Sequence, residues 1–361
     1  MHDCKKSGNF CFGAEGLQIL QLISRTKTTM ATNTAQDFLF HRIKEILPQH
    51  ISMVDAVSEI LHISSDSAYR RIRGETPLVL EEARQICNHF HLSLDQLLNV
   101  KSNFTLFETE RVHHQDFSFQ KYLAGILAQL KLVNDFMRKE IIYLSKDLPF
   151  FHNFQSETLF AFHYFFWMKS IIRHPDFVNE QFSTDCLTPE IKQLGAEILR
   201  LYNTIPSTEI WNTECVNSII FQVEYYKDAG YLSSPSDAKK IYESAESVIY
   251  HLKDQAENGC KFLPGENPQS KKNNFRLFYN RATLGDNTLL AVTDQLKTVF
   301  INYDVINYMS TRDEKFCNAT YDDLQALTRR STLISETSEK QRNIFFGIIL
   351  NKINDRKKHL S

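Results

Sequence analysis

Between Ser52 and Gly74 the chain sets two short helical segments about a turn of three residues, and no other feature of the 361-residue sequence constrains its fold as tightly. Ser52 is a good N-cap residue with Asp55 three positions on, in a capping-box-like arrangement. Behind it Val54, Val57, Ile60 and Leu61 recur at helical spacing. His62-Ile63-Ser64 makes the turn. The second segment then runs to Arg73, with Ser64 or Ser65 as its cap and Gly74 as a left-handed stop. Two helices about such a turn form a helix-turn-helix. The flanking sequence supplies further helices to close a small core. Ala35 to Leu47 carries Phe38, Leu39, Ile43, Ile46 and Leu47 and stops at Pro48, Val79 to Phe90 carries Leu80, Ala83, Ile86 and Phe90, and a fifth segment capped by Ser93 carries Leu94, Leu97 and Leu98.

The second helix of the pair has the makeup of a helix that reads DNA. Such a helix needs one buried side, short polar groups at its N-terminus that let it approach base edges, and cations further along for guanine or phosphate. Ala68 and Ile72 can face inward. Ser65, Asp66, Tyr69 and Arg70 then point outward along the leading edge, Arg71 and Arg73 flank them for phosphates, and Ser64 and Ser67 complete the expected DNA-binding set. Charge is distributed unevenly around this helix. From Ala35 to Val100 there are six Lys and Arg against nine Asp and Glu, yet residues 67–74 hold three arginines and no acid. A field that is locally basic and globally acidic suits specific binding more than strong non-specific affinity.

The stretch resembles the Cro/repressor-like (XRE-type) helix-turn-helix regulators of bacteria and phage. The similarity rests on Leu61-His62-Ile63-Ser64 at the turn, on Arg70 to Gly74 at the exit of the second helix, and on Leu92-Ser93-Leu94-Asp95-Gln96-Leu97-Leu98 as a closing helix. It implies a five-helix domain, often a homodimer, whose third helix enters the major groove of double-stranded DNA. His62 stands where that family usually has Gly, Ser58 where it usually has Ala, and Arg71 where it usually has an apolar residue. The resemblance covers under a fifth of the chain.

For the remainder, only 11 Gly and 9 Pro argue against a turn-dense β-sandwich and favour helix. The expected fold class is mainly α: the five-helix domain at 35–100, a linker at 101–115, and a large, mostly helical domain at 116–361 with a small antiparallel β-meander near 275–302. Residues 1–34 are expected to be a disordered arm or an upstream extension, and translation beginning at Met30 is an equal reading. Phe117 to Leu144 reads as one long helix, followed by others near 156–173, 188–203, 210–228 and 236–257. The meander strands are Phe275–Thr283, Asn287–Thr293 and Leu296–Asn302, and two helices near 319–332 and 336–355 close the chain.

Little elsewhere carries chemistry. Lys and Arg total 41 against 43 Asp and Glu, so no chain-wide positive field draws the protein to polyanions. The seven cysteines are widely spaced with no Cys-x-x-Cys, which argues against a disulfide framework or a zinc ribbon and fits a reducing cytoplasm. The near histidine pairs His89/His91, His113/His114 and His163/His174 lack helical zinc-site spacing. No glycine-rich phosphate loop, catalytic thiol signature or membrane span is present, so neither enzyme activity nor a cofactor is expected. The aromatic run Phe160, Phe162, Tyr164, Phe165, Phe166 and Trp167, with Tyr225, Tyr226 and Tyr231, is a buried helix face or the lining of a pocket for a small effector. The function expected is therefore a cytoplasmic, sequence-specific transcription regulator whose C-terminal domain dimerises or senses an effector. The alternative is a helical scaffold whose N-terminal bundle binds protein instead of DNA.

Overall fold

The computed structural model describes residues 34–47, 51–90, 92, 94, 104–109, 117–268, 274–282 and 285–360. The chain divides into two compact units, Met1–Asn103 and Phe104–Ser361.

Four helices are described in the N-terminal unit: α1 (Ala35–Ile46), α2 (Met53–Leu61), α3 (Ser65–Ile72) and α4 (Leu80–His89). The segment expected to form the fifth helix lies, apart from Leu94, outside the described residues. Each of the first three helices starts where a side chain replaces a missing intrahelical acceptor. Thr34, Ser52 and Ser64 accept from the backbone N–H of Asp37, Asp55 and Ser67. Leu39, Phe40, Ile43, Val57, Leu61, Ala68, Ile86 and Cys87 form the buried core.

The turn between α2 and α3 explains one departure from the resemblance. His62 adopts φ 54° and ψ 43°, the left-handed conformation in which glycine is favoured, and the next amide, Ile63 N–H, donates to Ser58 O at 3.0 Å. The turn geometry is thus built with a histidine. Gly74, at φ 73°, ends the segment beyond α3 in the expected left-handed conformation.

The C-terminal unit overturns the mainly α expectation. Its centre is an eight-stranded mixed sheet of β1 (Glu108–Thr109), β2 (Lys139–Ser145), β3 (Ser207–Trp211), β4 (Phe275–Tyr279), β5 (Thr288–Thr293), β6 (Lys297–Asn302), β7 (Tyr308–Thr311) and β8 (Thr332–Leu333). The strand order is β1-β7-β6-β5-β2-β3-β4-β8. The pairs β2–β3 and β3–β4 are parallel and the others antiparallel. The small meander is therefore not a separate feature. β5, β6 and β7 do form antiparallel neighbours, but β4 leaves them to pair with β3 and β8.

The helices of this unit are α5 (Phe119–Asn134), α6 (Glu157–Phe166, continued by a π turn at Trp167–Ile171), α7 (Pro189–Thr204), α8 (Asn217–Asp228), α9 (Pro235–Asn258), α10 (Glu314–Arg329) and α11 (Glu339–Lys358). The helix expected from Phe117 to Leu144 ends at Asn134, and the end of that span, from Lys139 on, is β2. The helix expected at 210–228 begins only at Asn217, because Ser207–Trp211 is β3. The expected linker also contributes to the sheet, since Glu108–Thr109 pairs with β7.

Alternation along the strands divides the core into two layers. Ile141, Tyr143, Trp211, Phe275, Leu277 and Tyr279 face the large helical layer that includes residues of α5, α6, α7, α8, α9 and α11. Ile142, Ile210, Phe278, Leu290 and Val299 face the opposite way and pack with Cys317 and Leu324 of α10. In the large layer, Gly195 of α7 lets the helix approach closely: a Cβ there would lie 2.9 Å from Phe154 Cδ1 and from Phe160 Cε1. Gly195→Ala is expected to destabilise this unit by about 1–3 kcal/mol, the usual cost of overpacking, read as a lowered midpoint in thermal unfolding.

Candidate nucleic-acid interface

Helix α3 is eight residues long, and Ala68 is its one fully buried residue. Ile72 is half-buried and packs against the core. The remaining surface is largely open, and the structure places all eight sequence-derived residues on α3 or directly beside it. Ser64 is the cap: its hydroxyl accepts the Ser67 N–H at 3.3 Å and donates to the Ser67 hydroxyl at 3.0 Å. Ser65 and Asp66 are exposed on the first turn, with Ser67 half-buried.

Tyr69, Arg70 and Arg73 are the exposed long side chains. Tyr69 retains 47% of its accessible surface. Arg70 Nε lies 3.1 Å from Asp66 Oδ2 in an exposed pair one turn apart. Arg73 Nη1 donates to the Tyr69 hydroxyl at 3.3 Å, and its guanidinium carbon lies 5.6 Å from the centre of the Tyr69 ring. Its Nε is 3.4 Å from Glu75 Oε1. Exposed ion pairs of this kind contribute little and are readily exchanged for another anion.

Arg71 is employed differently. Only 17% of its side chain is exposed, and Nε and Nη2 donate to the two oxygens of Glu82 at 3.0 and 2.8 Å. Nη1 donates to Ser67 O at 3.2 Å. The hydrogen bond from Arg71 holds the Glu82 carboxyl below its ordinary range, against the opposing effect of burial. Spacing along one helix cannot show this tie, because the partner lies on another helix. Gln36 of α1 was likewise missed. Its amide donates to Arg71 O at 2.6 Å and Thr76 O at 2.9 Å, while its carbonyl accepts Leu78 N–H at 2.9 Å.

The N-terminal unit thus carries a capped two-helix pair joined by a tight turn, with a tyrosine and two arginines standing off the second helix. Residues 29–107 match the model of the BetR domain. The BetR domain is a helix-turn-helix-type DNA-binding family, and the match gives this part of the chain a DNA-binding regulatory role at that coarse level. It covers the N-terminal unit from residue 29 on and ends at residue 107, leaving nearly all of the sheet-bearing unit unassigned. No curated protein matches the chain.

The C-terminal unit holds a buried polar cluster that sequence reading did not find. Glu209 on β3 is fully buried, with both oxygens 3.0–3.1 Å from His152 Nε2, and it accepts from the Tyr202 hydroxyl at 2.5 Å. Burial pushes its carboxyl up, but His152, Tyr202 and Lys261 together hold it below the usual range. Lys261, also fully buried, donates to Tyr202 O at 2.7 Å and Ile205 O at 2.6 Å, carbonyls at the end of α7, and sits 3.8 Å from the centre of the Tyr202 ring. Burial pushes its ammonium down to about 7, partly opposed by Glu209. Strand alternation sends Glu209 and Trp211 to the same face, a placement with no signature in the chain.

The aromatic run is core. Phe160, Phe162, Tyr164, Phe165 and Trp167 are buried, and Phe162 packs on Phe182 and Tyr226 with ring centres 5.6 Å away. An open depression of about 620 Å³ lies near Tyr231, but its edge is polar, and Lys169 there donates to Phe177 O, Val178 O and Glu180 O. Among the described residues no group of three His, Cys, Asp or Glu could hold a metal, and no helix is long and apolar enough to cross a membrane. His91, His113 and His114 lie outside the described residues.

Proposed function

We propose that the chain is a sequence-specific, double-stranded DNA-binding transcription regulator, of XRE/Cro-like type and homodimeric, that reads a major groove through α3. The reading is carried by the joint exposure of Tyr69, Arg70 and Arg73 along a capped helix whose opposite side rests on the core. Arg70 is the residue assigned to a base edge, with Arg73 assigned to phosphate and Ser65 and Asp66 lying along the approach. Two copies would meet half-sites about one helical turn, roughly 34–36 Å, apart. The C-terminal unit, in this reading, serves assembly or effector sensing without catalysis. An effector would act by favouring one spacing of the two α3 helices over another.

Selection of bound sequences from a random duplex library tests the reading. A regulator enriches a site, with half-site spacing reporting the symmetry, whereas a protein-binding scaffold enriches none. Arg70→Ala is expected to weaken binding to the enriched site by about 10–100-fold at fixed salt, the range for losing a bidentate base contact, with unfolding unchanged. Unaltered affinity in that titration would remove Arg70 from the interface.

A further inference from the structure

Packing alone gives α3 little resistance to turning about its own axis. One alanine is its only fully buried residue, and Ile72 is half-buried. A turn of about 20° would carry a side-chain tip, some 6 Å from the axis, through about 2 Å. That is enough to take a guanidinium away from a base edge. Three polar groups supply what the thin apolar stripe lacks. Glu82 grips Arg71 through both carboxylate oxygens at 2.8–3.0 Å and also accepts the Val79 N–H at 3.2 Å, so one side chain fixes the start of α4 and the outer turn of α3 together. Arg71 closes the loop onto Ser67 O. Gln36 ties the segment leaving α3 to α1.

We propose that Glu82 is a positioning residue for DNA recognition, acting through Arg71 to set the rotation of α3, and that Arg71 itself is not a DNA contact. The inference rests on the DNA-reading function proposed above. It makes an unusual forecast of sign. DNA is a polyanion, so removing a carboxylate beside the binding helix should raise affinity through reduced repulsion, and should raise it further if Arg71 were freed to reach phosphate. A positioning pair behaves in the opposite way.

The probes are the duplex most enriched by the wild-type chain and a scrambled duplex of the same length. The proteins are full-length wild type, Glu82→Gln, Arg71→Ala, the Arg71→Ala/Glu82→Gln double variant, and Glu82→Asp. Glu82→Asp preserves the charge but is one methylene too short for the grip. Thermal unfolding shows that each is folded at the assay temperature. Glu82→Gln and Glu82→Asp are both expected to lose about tenfold for the enriched duplex, with little change for the scrambled one, because orientation sets register and base readout. The double variant should lose no more than Arg71→Ala alone, since the two residues act as one unit. A gain in affinity for Glu82→Gln, or wild-type affinity in a folded Glu82→Asp, overturns the positioning role while leaving the DNA reading intact. Should the wild-type chain enrich no duplex at all, both fall together.

Discussion

Replacing Glu209 with alanine is expected to cost the C-terminal unit about 3–5 kcal/mol, the range for removing one member of a buried, hydrogen-bonded charged cluster. The loss is large because three buried groups depend on this carboxylate. His152 Nε2 has both Glu209 oxygens as its neighbours, the Tyr202 hydroxyl donates to one of them, and Lys261 keeps its charge partly through the nearby anion. Rings of Tyr202, Trp211 and Phe275 stand around His152, so no solvent takes the place of the missing oxygens. Calorimetry of the full chain measures the effect. A loss under about 1 kcal/mol, the scale of an exposed pair, would show that the cluster is open to water.

The second large effect is a dependence of stability on pH that runs upward through neutrality. Lys261 has its folded pKa lowered to about 7, whereas an unfolded lysine titrates near 10.4. Between those values the unfolded chain holds a proton that the folded chain has released, so raising the pH favours the folded state. The contribution of Lys261 alone between pH 7 and 9 is about 2 kcal/mol, at roughly 1.4 kcal/mol per pKa unit. From about pH 8.5, where free thiols begin to ionise, buried cysteines oppose this rise. Burial pushes the Cys215 thiol up to about 12, so unfolded thiols ionise first and stabilise the unfolded chain. Denaturant unfolding at closely spaced pH values should show a rise over about pH 7–8 in the wild type that is absent in Lys261→Met. A rise that persists in that variant would assign it to another group.

Local chemistry made the N-terminal unit legible. Capping serines, an apolar repeat near four residues and a glycine stop are all near-neighbour signals, and Ser52, Ser64 and Gly74 take the roles their residue types suggest. Strands β2 and β3 were illegible for a related reason. A strand covered on both faces shows no alternation, and Ile141-Ile142-Tyr143 continues the apolar spacing of α5 without a break in periodicity. The strands at 275–302 carried β-branched runs and could be seen, but which strand pairs with which depends on the whole chain. The same distinction separates the side chains of α3. Tyr69 and Arg70 could be placed on an outer face by counting along one helix, while the tie between Arg71 and Glu82 depends on how two helices meet.

The order of strands in the sheet bears on how this protein is made. Strand β2 sits between β3 and β5, and its pairing of Lys139 with Thr293 closes a very long stretch of chain. Such distant pairings form slowly, and during synthesis the free side of β2 waits for residues that leave the ribosome much later. The helix-turn-helix, whose contacts are local, has no such wait. A polypeptide truncated ahead of Thr288 would retain the helix-turn-helix while offering a bare, apolar strand margin to its neighbours, and such fragments should be found in aggregates.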